Sequence, residues 1–174
     1  MVAVVSLSED NREDLIGSCK GISELIHWLD ALNNRPGLQE LGTRLESSSI
    51  NLASLKKFIG YDETGSYQRN IIKKTEHYEM VAITWRPGCD TPIHNHQGSD
   101  CAFLIVEGVC TETIYALNDE GKASPEMQRE YVVGGVCAAD EPDIHRISND
   151  TDSNLINLHV YSPPLRNFKT FESA

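Results

Sequence analysis

The feature that most constrains this chain is a change of hydrophobic period near residue 66. Before it, apolar residues recur at steps of three and four. They fall at Leu15, Cys19, Ile22, Ile26, Leu29 and Leu32, one face of a helix. Asn33, Asn34, Arg35, Pro36 and Gly37 stop that helix. A second short helix is expected over about 38–45. A third is expected from the N-cap residue Asn51, carrying Leu52, Leu55 and Ile59 before Gly60. Beyond residue 66 the segments are short and rich in Val, Ile, Thr and Tyr. Strands are expected over 78–85, 101–106, 111–117, 129–133, 136–139 and 155–162, with a hairpin loop over 118–124. Short strands with turns and no helices between them predict a small antiparallel β-barrel or sandwich. The chain therefore reads as mainly β with N-terminal helices. No Pro/Gly/Ser-rich linker separates the two parts, so 1–174 is expected to be one domain. Its helical part covers about 1–60 and its β part about 66–174.

Charge narrows the partners. With 15 Lys and Arg against 26 Asp and Glu, the net charge is −11. Nucleic acid and anionic membrane surfaces would be repelled. No apolar run of ~18 residues could span a bilayer, and the opening segment turns acidic too early for a secretory signal. The five cysteines are odd in number, irregularly spaced and without a CxxC pair. A reducing cytoplasm suits them better than a disulfide framework.

Six histidines are present. His27 and His77 are expected at the surface, and Trp28 in helix packing. His94 and His96 are two residues apart between strands. In extended backbone such a pair shares a face, so both rings can reach one metal. Asn157, His159 and Tyr161 alternate in the same way. Cys89, Cys110 and Cys137 are expected in the β-core or at its rim.

The stretch from Gly88 to Gly108 reads G-x5-H-x-H-x4-C-x6-G. It resembles the first signature of the cupin superfamily, with Cys101 where a glutamate ligand is usual. His145 and Asn149 match the H-x3-N close of the second signature, although Pro142 stands where glycine is usual. Together these imply a jelly-roll-like cupin in which His94, His96 and His145 meet as metal ligands. Imidazole suits iron, zinc, copper and nickel alike.

Further motifs sharpen the likeness. They are Tyr67 to Asn70, Trp85 nine residues before His94, Cys101 five residues after His96, and Leu158-His159-Val160-Tyr161-Ser162-Pro163-Pro164. The chain from about Tyr67 to Pro164 resembles the thiol dioxygenases, cysteine dioxygenase in particular. The resemblance implies one ferrous ion per chain on His94, His96 and His145. It implies that Arg69 grips a substrate carboxylate beside Tyr67 and Trp85. It implies a Cys101–Tyr161 thioether, a His159 bond to the tyrosine hydroxyl, and a cis Ser162–Pro163 peptide. Asn157 replaces the family's serine; its amide could still bond His159. The implied reaction adds both atoms of dioxygen to the thiolate of L-cysteine, giving cysteine sulfinic acid, in a monomer or weak homo-oligomer. The alternatives are a 3-mercaptopropionate dioxygenase, a non-catalytic metal- or metabolite-binding cupin, and a zinc hydrolase. In 3-mercaptopropionate dioxygenases glutamine usually stands in the place of Arg69; Gln68 is its neighbour here.

Overall fold

The computed structural model describes residues 2–50, 52–139, 143–166 and 168–174. Its helices are α1 (Glu9–Ser18), α2 (Lys20–Asp30), α3 (Leu38–Glu46) and α4 (Leu52–Leu55). Its strands are β1 (Ala3–Ser6), β2 (Gln68–Lys74), β3 (Glu79–Trp85), β4 (Asp100–Glu107), β5 (Cys110–Leu117), β6 (Ala123–Tyr131), β7 (Val136–Ala139), β8 (Ile144–Ser148) and β9 (Leu155–Ser162). A six-stranded sheet has the order β1-β2-β3-β9-β4-β7, and a three-stranded sheet the order β6-β5-β8. The two form a sandwich that does not close into a barrel.

The near-continuous apolar runs of β3, β4 and β9 follow from burial on both faces. Alternate residues serve two different cores. Met80, Ala82, Ala102, Leu104, Ile156, Leu158 and Val160 pack with Leu15, Ile22, Leu25 and Leu29 of the helices. Val81, Ile83, Trp85, Cys101, Phe103, Leu155 and Tyr161 pack with Cys110 and Ile147 of the smaller sheet. Tyr78 ties the helical layer to the sheet: its hydroxyl donates to Asp30 Oδ1 at 2.7 Å, and Lys73 Nζ reaches the same carboxylate at 2.6 Å.

The first helix differs from expectation. It begins at Glu9 and breaks at Cys19, which has φ −124° and ψ 96°. Gly17 and Ser18 are weak helix formers, so the chain bends there while Leu15 and Cys19 still reach the core. The last helix keeps only one turn, and Asn51 lies outside the described residues. Strands β1, β2 and β8 were not expected, and β1 pairs with β2 in parallel. The hairpin loop is shorter than expected because β6 starts at Ala123. Asn118 tightens it by accepting from the backbone N–H groups of Glu120 and Lys122. The Ser162–Pro163 peptide is cis. None of the five cysteines is in a disulfide, and all are buried. Among the described residues no helix is long and apolar enough to cross a membrane.

Gly108 turns β4 into β5 with φ +80°, and a Cβ there would collide with the Asn154 carbonyl oxygen. Both the backbone region and the space exclude a side chain. Gly108→Ala is expected to lower unfolding stability by about 2–4 kcal/mol, read from the midpoint of a urea titration.

Candidate metal centre and its pocket

His94 and His145 come from segments far apart in sequence, and the backbone locks them together. Each donates its N–H to the other's carbonyl at 2.9 Å. His145 lies in β8, which pairs with β5. His94 sits in the β3–β4 connection as an isolated bridge, not in a regular strand. Its other flank meets the segment around Thr170: Asn95 N–H donates to Lys169 O, and Phe171 N–H to Ile93 O. The local backbone still turns His96 to the same side, with ring centroids 5.0 Å apart.

The ring nitrogens of His94, His96 and His145 lie within 4.8 Å of one another. His94 Nδ1 is 2.8 Å from the Pro92 carbonyl, which can only accept, so that nitrogen carries the proton. His145 Nδ1 is 2.7 Å from Glu112 Oε1. Both rings therefore keep Nε2 as a lone pair for an ion, the usual arrangement behind a ligating imidazole. His145 Nε2 and His96 Nε2 are 3.3 Å apart. Two nitrogens bound at about 2.0–2.1 Å and at right angles would stand about 3 Å apart. Burial pushes the His94 pKa down to about 4 and that of His96 to about 2, and the neighbouring imidazoles add to this. His94 and His96 are therefore neutral at neutral pH, and ring nitrogens brought this close fit a dipositive ion better than they fit one another.

Glu112 is the residue the sequence reading missed. Burial would raise its pKa, but bonds from His145, Cys137 and Tyr131 outweigh that and hold it below the usual value. Its signal was available: Cys110, Glu112 and Ile114 share a face of β5, so the alternation directs a lone carboxylate inward.

The histidines open on a cavity of about 330 Å³. Arg69, Tyr67, Trp85, His159 and Tyr161 line it as well. Gln68 does not; its amide bonds Asn70. Tyr67 and Trp85 stack at 4.6 Å. Arg69 lies over the Tyr161 ring at 5.4 Å and meets Glu79 at 3.2 Å. Cys101 stands behind this wall, fully buried and in register with Tyr161 across β4 and β9. Its Sγ is 3.8 Å from His159 Nδ1, and the Tyr161 hydroxyl is 3.2 Å from the same nitrogen. Cys89 is not in the lining; its thiol donates to Gly65 O. His27 and His77 are exposed.

Asn157 departs from expectation. Its Oδ1 accepts the Trp85 indole N–H at 2.8 Å, and it makes no bond to His159. His159 Nε2 is buried with no hydrogen-bond partner. The amide therefore braces the aromatic wall. Pro142, where the second signature departs from the family, lies outside the described residues.

If Glu112 sets the tautomer and basicity of His145, Glu112→Gln should weaken divalent-ion binding by about 10–100-fold. Competition of Co2+ against a chelator would measure this; unchanged affinity would remove Glu112 from the centre.

The comparisons with known proteins agree with this geometry. The model of the family "Cysteine dioxygenase type I" matches residues 25–174. Cysteine dioxygenase type 1 of Danio rerio is 26% identical over 172 residues, covering 95% of this chain and 81% of the relative. The Homo sapiens protein of that name is 26% identical over 140 residues, covering 78% of this chain and 68% of the relative. A Klebsiella pneumoniae protein described as having a double-stranded β-helix domain superposes with a TM-score of 0.57. It is 17% identical and covers 73% of this chain and 94% of its own. At that identity the superposition establishes the fold alone. The family match leaves out β1, α1 and the first half of α2 and spans every later element, and this chain belongs to the cysteine dioxygenase type I family.

Proposed function

We propose that this protein is a ferrous-iron thiol dioxygenase that converts L-cysteine and dioxygen to cysteine sulfinic acid. The observation that carries this reading is one cavity lined by both a three-imidazole cluster and a guanidinium. His94, His96 and His145 would hold the metal. Three neutral ligands leave its charge uncompensated, which favours an anionic thiolate. A ferrous ion there supplies Lewis acidity toward the thiol and redox chemistry toward dioxygen.

The remaining work belongs to the chain. Arg69 offers a planar fork to the substrate carboxylate. That Arg69 and not Gln68 faces the cavity supports cysteine over 3-mercaptopropionate, by the family pattern. Tyr67 and Trp85 form an apolar wall that limits water around the thiol. Burial, then the nearby Cys101, pushes the Tyr161 pKa up, so its hydroxyl keeps its proton. Burial holds His159 neutral. Its Nδ1 accepts from Tyr161, and this orders the tyrosine beside the reacting centre. Five buried cysteines without a disulfide suit a reducing cytoplasm.

Arg69→Ala should retain its iron yet lose about 100-fold in kcat/KM for L-cysteine, since two charge-assisted bonds are removed. Oxygen uptake with assay of the sulfinate measures this. No uptake by the iron-loaded parent protein would favour a binding protein instead. Stoichiometric zinc without iron would favour a hydrolase. A higher kcat/KM for 3-mercaptopropionate would change the substrate.

The Cys101–Tyr161 pairing supports a thioether. Its formation joins sulfur to a ring carbon and passes two hydrogens to dioxygen. The protein as purified is expected to run as two close bands in denaturing electrophoresis, the faster lighter by about two hydrogens. Cys101→Ser should give one band, and a single unmodified band from the parent would refute the cross-link.

A further inference from the structure

The cavity lining contains a carboxylate that the reaction above leaves unused. Glu79 opens β3 and is 2% exposed. Each of its oxygens meets a different cation. Oε1 lies 3.2 Å from Arg69 Nη2, and Oε2 lies 3.5 Å from Lys74 Nζ. A buried carboxylate is tolerated when paired. Yet beside a guanidinium that receives a substrate carboxylate, a second anion is a competitor, and its presence needs a reason.

Guanidinium geometry supplies one. The group has five N–H donors in a rigid fork, and Glu79 engages it at Nη2. Its Cζ also sits over the Tyr161 ring, 5.4 Å from the centroid. Tyr161 is also directly opposite Glu79 in the β3–β9 register. The guanidinium is thus held at Nη2 and over the Tyr161 ring, with donors left over. Charge gives a second reason. Arg69 and Lys74 bring two positive charges to the cavity lining and Glu79 brings one negative. Apart from the ion at the histidines, whose charge meets the thiolate, one positive charge remains, the match for one carboxylate.

We propose that Glu79 is a positioning residue that holds Arg69 ready for a substrate carboxylate and trims the local charge to one. The pocket thereby selects small thiols that carry a single carboxylate. This deepens the reading above and rests on Arg69 as the carboxylate anchor.

The test is anaerobic titration of the iron-loaded protein with L-cysteine, with cysteamine, which lacks a carboxylate, and with mercaptosuccinate, which has two. In Glu79→Ala the Kd for L-cysteine should rise about tenfold while that for cysteamine stays within about twofold. In Glu79→Gln an amide oxygen still accepts from Arg69, so the L-cysteine Kd should rise no more than about threefold. Mercaptosuccinate should then gain about tenfold relative to L-cysteine, because the negative charge is gone. Equal weakening of L-cysteine and cysteamine in the alanine variant, with a lower Tm, would make Glu79 only an ion pair joining β2 to β3 and would overturn the proposal. Should the alanine variant not fold, an unchanged mercaptosuccinate ratio in Glu79→Gln overturns it equally. A parent protein that binds cysteamine as tightly as L-cysteine would refute the Arg69 anchor, and the proposed function with it.

Discussion

Burial of the central strands on both faces is the constraint on which the rest depends. β3, β4 and β9 each send alternate side chains into two separate cores. A shift of one residue in register would exchange the faces. His159 and Tyr161 would then point into the helices, and Val160 into the cavity. The helical layer packs on the core opposite the one that faces the histidines, yet it fixes which half of each strand faces them. Its own attachment through Asp30, Lys73 and Tyr78 is correspondingly polar and directional.

A second theme is how an acidic chain builds a locally cationic pocket. The net charge is −11, but the buried acids near the cavity are each committed. Glu112 accepts from His145, Tyr131 and Cys137. Glu79 meets Arg69 and Lys74. Burial holds His159, Cys101 and Tyr161 neutral. In such surroundings a pairwise charge interaction is stronger than at the surface, so a single guanidinium can dominate what enters.

Much of this was legible in the sequence because it is periodic. Strands with uniform apolar runs or strict alternation, such as those ending at Trp85 and Ser162, announced themselves; spacing paired His94 with His96, and the resemblance to a known family added His145. What escaped was set by tertiary context. β1 is a short edge strand with Val4 and Val5 exposed, and only pairing with β2 makes it a strand. The break at Cys19 depends on two weak helix formers within an otherwise helical pattern. The partner of Asn157 escaped for a related reason: the family's serine at that place suggested His159, whereas the sheet brings Trp85, 72 positions earlier, within 2.8 Å.

The backbone bridge between His94 and His145 has a consequence for assembly. His96 and His145 are separated by 49 positions, and the flanking segment around Lys169 lies 74 positions beyond Asn95. Closing loops of that length is entropically unfavourable until the sheets are already registered. An ion held by all three histidines would find the complete set only in a finished frame, unlike the ion that nucleates a small zinc-stapled module.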